Sequence, residues 1–229
     1  MHHKNNMKRG KKYRAVAEKV DKNKTYSVED AVKIIKESKT AKFDESVELH
    51  IKTNIDSKKG DQIIRGTVVL PHGSGKTKRV AVITSNAQDE AKRAGADIVG
   101  GEELIENFSK KIDFDVLVAT PEMMPKLAKV AKILGPKGLM PNPKTETVTT
   151  KIKETVEALK KGKAAYKNDD SGNVHQTVGK ISFADEKLVE NIKIFIENLE
   201  KSKPSGLKGK LFSNITLCST MGQGVRITS

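Results

Sequence analysis

Val47, Leu49, Ile51 and Ile55 alternate with Glu48, His50, Lys52 and Asn54, and such a period of two fits a strand with one face in a core and the other in water. A second strand of the same style is predicted from Ile63 to Leu70, and both read as antiparallel. After the break at Pro71-His72-Gly73-Ser74-Gly75 the style changes. Val80 to Ile83, Ile98-Val99 and Val116 to Ala119 are short and apolar throughout. They alternate with predicted helices over Gln88 to Arg93, Glu102 to Phe108 and Met123 to Leu134, which is the pattern of a parallel sheet covered by helices. A further helix, with Ile152, Val156 and Leu159 inward, ends at Gly162. From Tyr166 the half-exposed style returns. A turn at Asn168 to Asn173 leads to a strand from Val174 to Phe183, a helix from Asp185 to Lys201, and strands at Leu211 to Leu217 and Val225 to Ile227.

This outer, inner, outer order predicts a chain of mixed class, α/β and α+β, in two domains. Residues 1–72 and 164–229 would form one discontinuous α+β domain. An inserted Rossmann-like three-layer α/β domain would span 73–163, with a hinge at the paired breaks near Gly73 and Gly162. Residues 1–6 are expected to be disordered. Tyr13, Val16, Ala17 and Val20 predict a first helix, and Ser27 with Asp30 three residues on opens a second whose inward stripe is Val28, Val32 and Ile35.

The formal net charge of +14 favours a polyanionic partner, because each phosphate neutralised by Lys or Arg releases condensed counterions. Residues 1–24 carry nine Lys/Arg against two Asp/Glu and read as a basic arm, whereas residues 25–72 carry eight of each. Cys218 is the single cysteine, which leaves neither a disulfide framework nor a cysteine-based zinc site within one chain. No run of about 18 apolar residues occurs and no apolar stretch follows the N-terminal charges, so neither export nor a membrane span is expected.

Few motifs suggest catalysis. His72-Gly73-Ser74-Gly75-Lys76-Thr77 ends like a phosphate-binding loop, yet Leu70 stands where that pattern needs its first glycine, and a strand rather than a helix follows. The glycines of Gly95 to Gly101 lack dinucleotide-binding spacing. His2, His3, His50, His72 and His175 are scattered, and His50, on a polar strand face, reads as a surface or RNA-facing residue rather than a ligand. No catalytic residue, metal or cofactor is expected. Phe43, between Lys42 and Asp44, would either stack on a base or plug the end of a small core. Ser219 to Gly224 would either bring backbone amides close to phosphates and 2′-hydroxyls or simply join two strands.

Several longer motifs occur in order: Lys42-Phe43-Asp44-Glu45-Ser46-Val47-Glu48, Arg65-Gly66-Thr67-Val68 with Leu70-Pro71-His72-Gly73, Ala94-Gly95-Ala96-Asp97 with Gly100-Gly101-Glu102-Glu103, Leu134 through Lys144, and Thr220-Met221-Gly222. Together, from about Tyr13 to Ile227, they resemble the bacterial large-subunit ribosomal protein L one family. That resemblance implies a discontinuous domain that binds large-subunit rRNA, interrupted by a Rossmann-like domain. It also implies a place on the mobile stalk near the exit site, help in releasing deacylated exit-site tRNA, and repression of translation by binding the chain's own operon mRNA with the same surface. The free protein would be a cytoplasmic monomer. Carried over residue by residue, the RNA contacts are Lys42, Phe43, Ser46, Glu48, Thr220, Met221 and Gly222, with Lys180, after Gly179, as a further candidate. Ser46 stands where many relatives have Thr, keeping the hydroxyl. Glu48 would have to accept from RNA hydroxyls, since a carboxylate beside phosphate is repelled.

Overall fold

Ser27 accepts a hydrogen bond from Asp30 N at 3.1 Å while its hydroxyl donates to Asp30 Oδ2 at 2.8 Å. This reciprocal pairing satisfies an amide that an open helix end would leave without a partner. The helix it opens is one of several in the computed structural model, which describes residues 10–17, 20–21, 24–57, 59–108 and 112–228. Residues 1–9, 18–19 and 22–23 of the basic arm, and with them the expected disorder of residues 1–6, lie outside the described residues.

The elements are α1 (Lys11–Ala17), α2 (Val28–Glu37), β1 (Ser46–Thr53), β2 (Arg65–Val69), β3 (Val80–Ile83), α3 (Gln88–Arg93), β4 (Ile98–Gly100) and α4 (Glu102–Phe108). They continue with β5 (Val116–Ala119), α5 (Met124–Leu127), α6 (Ala131–Leu134), α7 (Ile152–Lys160), β6 (Lys163–Lys167), β7 (Asn173–Lys180), α8 (Asp185–Lys201), β8 (Phe212–Ser219) and β9 (Val225–Ile227). The fold is of mixed α/β class with three sheets among the described residues. The chain divides into two compact units, one running up to Ile64 and resuming at Asn168, the other spanning Arg65–Lys167. The 72/73 and 163/164 positions fall inside the second unit, the first after β2 and the second within β6. No helix among the described residues is long and apolar enough to cross a membrane.

The first unit contains a four-stranded antiparallel sheet in the order β7-β1-β8-β9. Val47, Leu49 and Ile51 are buried on one face, which α2 and α8 cover with Val32, Ile35, Ile192 and Phe195, all at most 2% exposed. The register between β1 and β7 shifts between Val47 and Glu48, leaving Val178 outside the ladder. Its carbonyl still has a donor, because Asn191 of α8, wholly buried, reaches it with Nδ2 at 2.8 Å. Without that bond a buried carbonyl would be desolvated for nothing in return. β7 ends at Lys180 rather than at Phe183. Asp44 takes over there, its carboxylate accepting from Ser182 N at 3.2 Å and from Ser182 Oγ at 2.9 Å.

In the second unit a three-stranded parallel sheet has the order β4-β3-β5. Val80, Val82 and Val118 pack on one side against Ala91 of α3 and Ile152, Val156 and Leu159 of α7. Ala81, Ile83, Leu117 and Ala119 pack on the other against Ile105 and Phe108 of α4 and against Met123, Leu127, Val130 and Leu134. The helix predicted from Met123 to Leu134 has this apolar spacing but is not one regular helix. The 3-10 turns Pro121–Met123 and Ala128–Val130 flank α5, and Pro125 within α5 has no amide to donate.

β6, which pairs with β2, was not expected as a strand. Lys163 occupies one of its buried positions, its ammonium paired with Glu146, so the apolar alternation is interrupted. Gly162, at φ 111°, meets Gly73: a Cβ on Gly162 would lie 2.6 Å from Gly73 Cα. Glycine is the residue that fits there.

Candidate nucleic-acid interface

The alternation that buries Val47 and Leu49 also turns Glu45 inward, and its side chain is fully buried. Its Oε2 accepts from Ser219 Oγ at 2.6 Å and from Met221 N at 3.1 Å, and its Oε1 accepts from Ala41 N at 3.1 Å. Burial alone would push this carboxyl up. The Ser219 hydroxyl and the amides of Met221, Ala41 and Thr40 outweigh it and hold Glu45 below its ordinary value. One buried anion thus ties the segment before β1 to the loop after β8.

The same two segments are laced by their backbones. Ser46 N donates to Thr220 Oγ1 at 3.0 Å, and Thr220 N donates to Ser46 O at 3.1 Å. Gly222 N closes the turn on Ser219 O at 3.0 Å. A Cβ on Gly222 would stand 2.4 Å from Ser219 Oγ, the hydroxyl that Glu45 holds, so this position needs glycine for close approach rather than for a left-handed backbone. On the other side of β1, Lys180 Nζ donates to Ser46 Oγ at 3.1 Å and to Asp44 O at 3.2 Å.

All eight candidate residues therefore belong to elements that meet where β1 begins and β7 and β8 end. They are not equivalent. Phe43 is 53% exposed and Met221 63%, and Lys42 and Thr220 are also exposed. With that exposure Phe43 does not plug a core. Ser46 is buried and its hydroxyl engaged by Lys180, so the two hold each other in place. Lys180, Gly222 and Glu48 are half-buried. In the Ser219 to Gly224 loop the amides of Thr220, Met221 and Gly222 are engaged within the chain, by Ser46 O, Glu45 Oε2 and Ser219 O.

Glu48 lies on the polar face of the sheet, opposite Thr177 of β7 and Cys218 of β8. Two residues along, His50 stands opposite His175. His50 Nδ1 lies 2.8 Å from His175 Nδ1, and His50 Nε2 lies 3.1 Å from Cys218 Sγ and 3.8 Å from Glu48 Oε2. Burial and the neighbouring His175 lower the pKa of His50 against the pull of Glu48. Burial, then Glu48, push the Cys218 thiol up to about 11.

Two of the scattered histidines, His50 and His175, thus form a cluster with Glu48 and the lone cysteine. A cysteine count could exclude a multi-cysteine site but not this mixed set. Glu45, Ser219 and the cluster were all missed as functional residues. Glu45 carried a signal, being a carboxylate on the inward phase of an alternating strand; the cluster carried none, because the β1, β7 and β8 register is not written locally.

The second unit offers a cavity of about 590 Å³ beneath the Gly135 to Asn142 loop, with Lys78, Asp115, Lys163 and Tyr166 in its wall. Burial, opposed by Asp115, lowers the Lys78 pKa. The Gly73-Ser74-Gly75-Lys76 segment runs into β3 and not into a helix, so it lacks the helix N-terminus that a phosphate-binding loop uses.

Residues 35–223 match the family described as ribosomal protein L1p/L10e. The chain belongs to the ribosomal protein L1p/L10e family. All eight candidates fall within the segment matched to that family. Relatives agree over nearly their whole length. The chain is 51% identical over 219 residues to the large ribosomal subunit protein uL1 of Mycoplasma capricolum, covering 95% of this chain and 97% of that protein. It is 50% identical over 223 residues to that of Thermosipho africanus, covering 96% of each. It is also 50% identical over 226 residues to that of Persephonella marina, covering 96% of this chain and 93% of the relative. Membership in the L1p/L10e family places the chain in a structural rather than an enzymatic class.

Proposed function

We propose that this chain is a structural protein of the large ribosomal subunit, resident on cytoplasmic ribosomes, which binds folded rRNA of the mobile stalk with the unit formed by its two ends. The observation that carries this reading is the pairing of exposed Phe43 and Met221 at one end of a sheet, on segments that buried Glu45 locks together. They are the two most exposed large apolar side chains among the described residues, and they sit beside Lys42 and the backbone of Thr220 to Gly222. Aromatic and thioether surface can cover bases and sugar edges, while Lys42 takes phosphates and the loop's carbonyl oxygens accept from 2′-hydroxyls. Ser46 and Lys180 act mainly by shaping this end of the sheet, and Glu48 accepts from 2′-hydroxyls. The net charge of +14 adds sequence-independent attraction.

In this reading the two compact units are separate domains: a discontinuous α+β RNA-binding domain, and an inserted Rossmann-like domain in which helices cover both faces of the parallel sheet. Stalk residence would put the chain beside exit-site tRNA, where it assists release of the deacylated form. An mRNA fold resembling the rRNA site would be gripped by the same surface, giving repression of the chain's own operon. No catalytic role is assigned.

Sedimentation of cell extract through sucrose at moderate salt tests residence. The chain should travel with free large subunits and whole ribosomes and be absent from small subunits. A chain that stayed at the top of the gradient would contradict the reading.

A further inference from the structure

We propose that Glu48, His50 and Cys218, on the polar face of the first unit's sheet, form a three-ligand site for a divalent transition-metal ion of the zinc class. Their donor atoms all lie within 4.8 Å of one another. His50 Nε2 is 3.1 Å from Cys218 Sγ and 3.8 Å from Glu48 Oε2. Metal–donor bonds of about 2.0 Å to nitrogen or oxygen and 2.3 Å to sulfur, at tetrahedral angles, put donors roughly 3.3 to 3.6 Å apart. The cluster therefore needs only small side-chain rotations, and all three side chains are half-exposed and free to make them.

What distinguishes this cluster from a chance meeting of polar groups is the arrangement behind His50. The Asp169 carboxylate faces His175 Nε2 at 3.5 Å, and Asp169 is itself fixed by Ser171 N at 2.9 Å and Asn173 N at 2.6 Å. With a proton on Nε2, His175 presents Nδ1 as an acceptor to His50 Nδ1, 2.8 Å away. His50 then donates from Nδ1 and aims its Nε2 lone pair at Cys218 and Glu48. A histidine ligand whose second nitrogen donates to a fixed acceptor is the usual support of a metal-binding imidazole. The strand register supplies it here: His50 is opposite His175, and Glu48 is opposite Cys218.

A thiolate, an imidazole and one carboxylate favour zinc-class ions over magnesium or calcium, which prefer all-oxygen shells. On binding, the sulfur–metal bond forms as the Cys218 S–H bond breaks, releasing one proton to solvent with no change in oxidation state. Water completes the tetrahedron. Glu48 gives one carboxylate oxygen to the ion and keeps the other for the 2′-hydroxyls of the RNA reading, and metal binding is read on the protein alone.

Cobalt(II) titrated into the reduced full-length protein is the test, read by absorption. Wild type should develop an intense near-ultraviolet thiolate-to-cobalt band and tetrahedral visible bands, both abolished by equimolar zinc. Cys218→Ser should lose the near-ultraviolet band. His175→Gln, which touches no ion, should keep the band but need at least about tenfold more cobalt, and it serves as the second arm if the cysteine variant does not fold. A wild-type protein without the near-ultraviolet band, a band unchanged in Cys218→Ser, or unaltered affinity in His175→Gln would overturn the assignment.

Discussion

Phe43→Ala is expected to weaken binding of the stalk rRNA fragment about 30-fold, the equivalent of about 2 kcal/mol for one lost stacking contact. The folded chain should scarcely notice. Phe43 is 53% exposed and buries little of its ring within the chain, so the melting temperature should move by no more than about 2 °C. Phe43→Tyr, which keeps the aromatic face, should retain nearly all of the affinity. Fluorescence anisotropy with a labelled fragment and a thermal melt of each variant separate the two quantities. Loss of stability without loss of affinity would mean that Phe43 serves the fold and that the interface has been placed wrongly.

Glu45→Ala should damage both. Four donors, the Ser219 hydroxyl and the amides of Met221, Ala41 and Thr40, lose a shared acceptor inside the protein. Leaving buried donors without partners costs about 3 kcal/mol here, or roughly 10 °C in melting temperature for a domain of this size. Affinity for RNA should fall at least about tenfold as well, because the Thr220 to Gly222 loop loses what holds it to the Lys42 to Ser46 segment.

Glu45→Gln gives the matching pH dependence. Interactions in the fold depress the Glu45 pKa below its ordinary value of 4.5, so its stabilising contribution is complete above that value and is lost as pH falls through the lowered one. The stability gap between wild type and Glu45→Gln should therefore be widest near neutrality and narrow in acid. A gap independent of pH would show that folding leaves the Glu45 pKa unchanged, and a gap that narrowed as pH rose would show that the fold holds Glu45 protonated.

Much of this architecture could be read locally. α3, α4, α8 and β9 have the expected bounds, because each is announced by nearby residues: an acidic first turn, an apolar period, a glycine or turn at its end. What escaped depended on distant partners. Lys163 breaks the apolar alternation of β6, and the Glu146 that pairs with it comes from a separate segment, so the strand was hidden. The Met123 to Leu134 stretch had the period of one helix, but its hydrogen bonds are broken into short turns around Pro125. At the interface the exposed residues were legible as motifs, whereas their scaffold was not. Ser46 resembled a contact and proves to be occupied by Lys180; Glu45, given no role of its own in the sequence reading, is fully buried. Cys218 meets His50 only through the β1 and β8 register.

The central claim is that both chain ends build one surface that grips folded ribonucleotide. Its most direct test is the affinity of the purified protein for the stalk rRNA fragment and for an unrelated duplex of equal length, measured across a salt series for wild type and Lys42→Ala. The account predicts strong preference for the fragment at every salt concentration, and a wild-type slope of about −4 in log affinity per tenfold salt if about five phosphates are neutralised, reduced by about 1 in Lys42→Ala. A well-folded protein that bound the fragment no better than the duplex at low salt would contradict it.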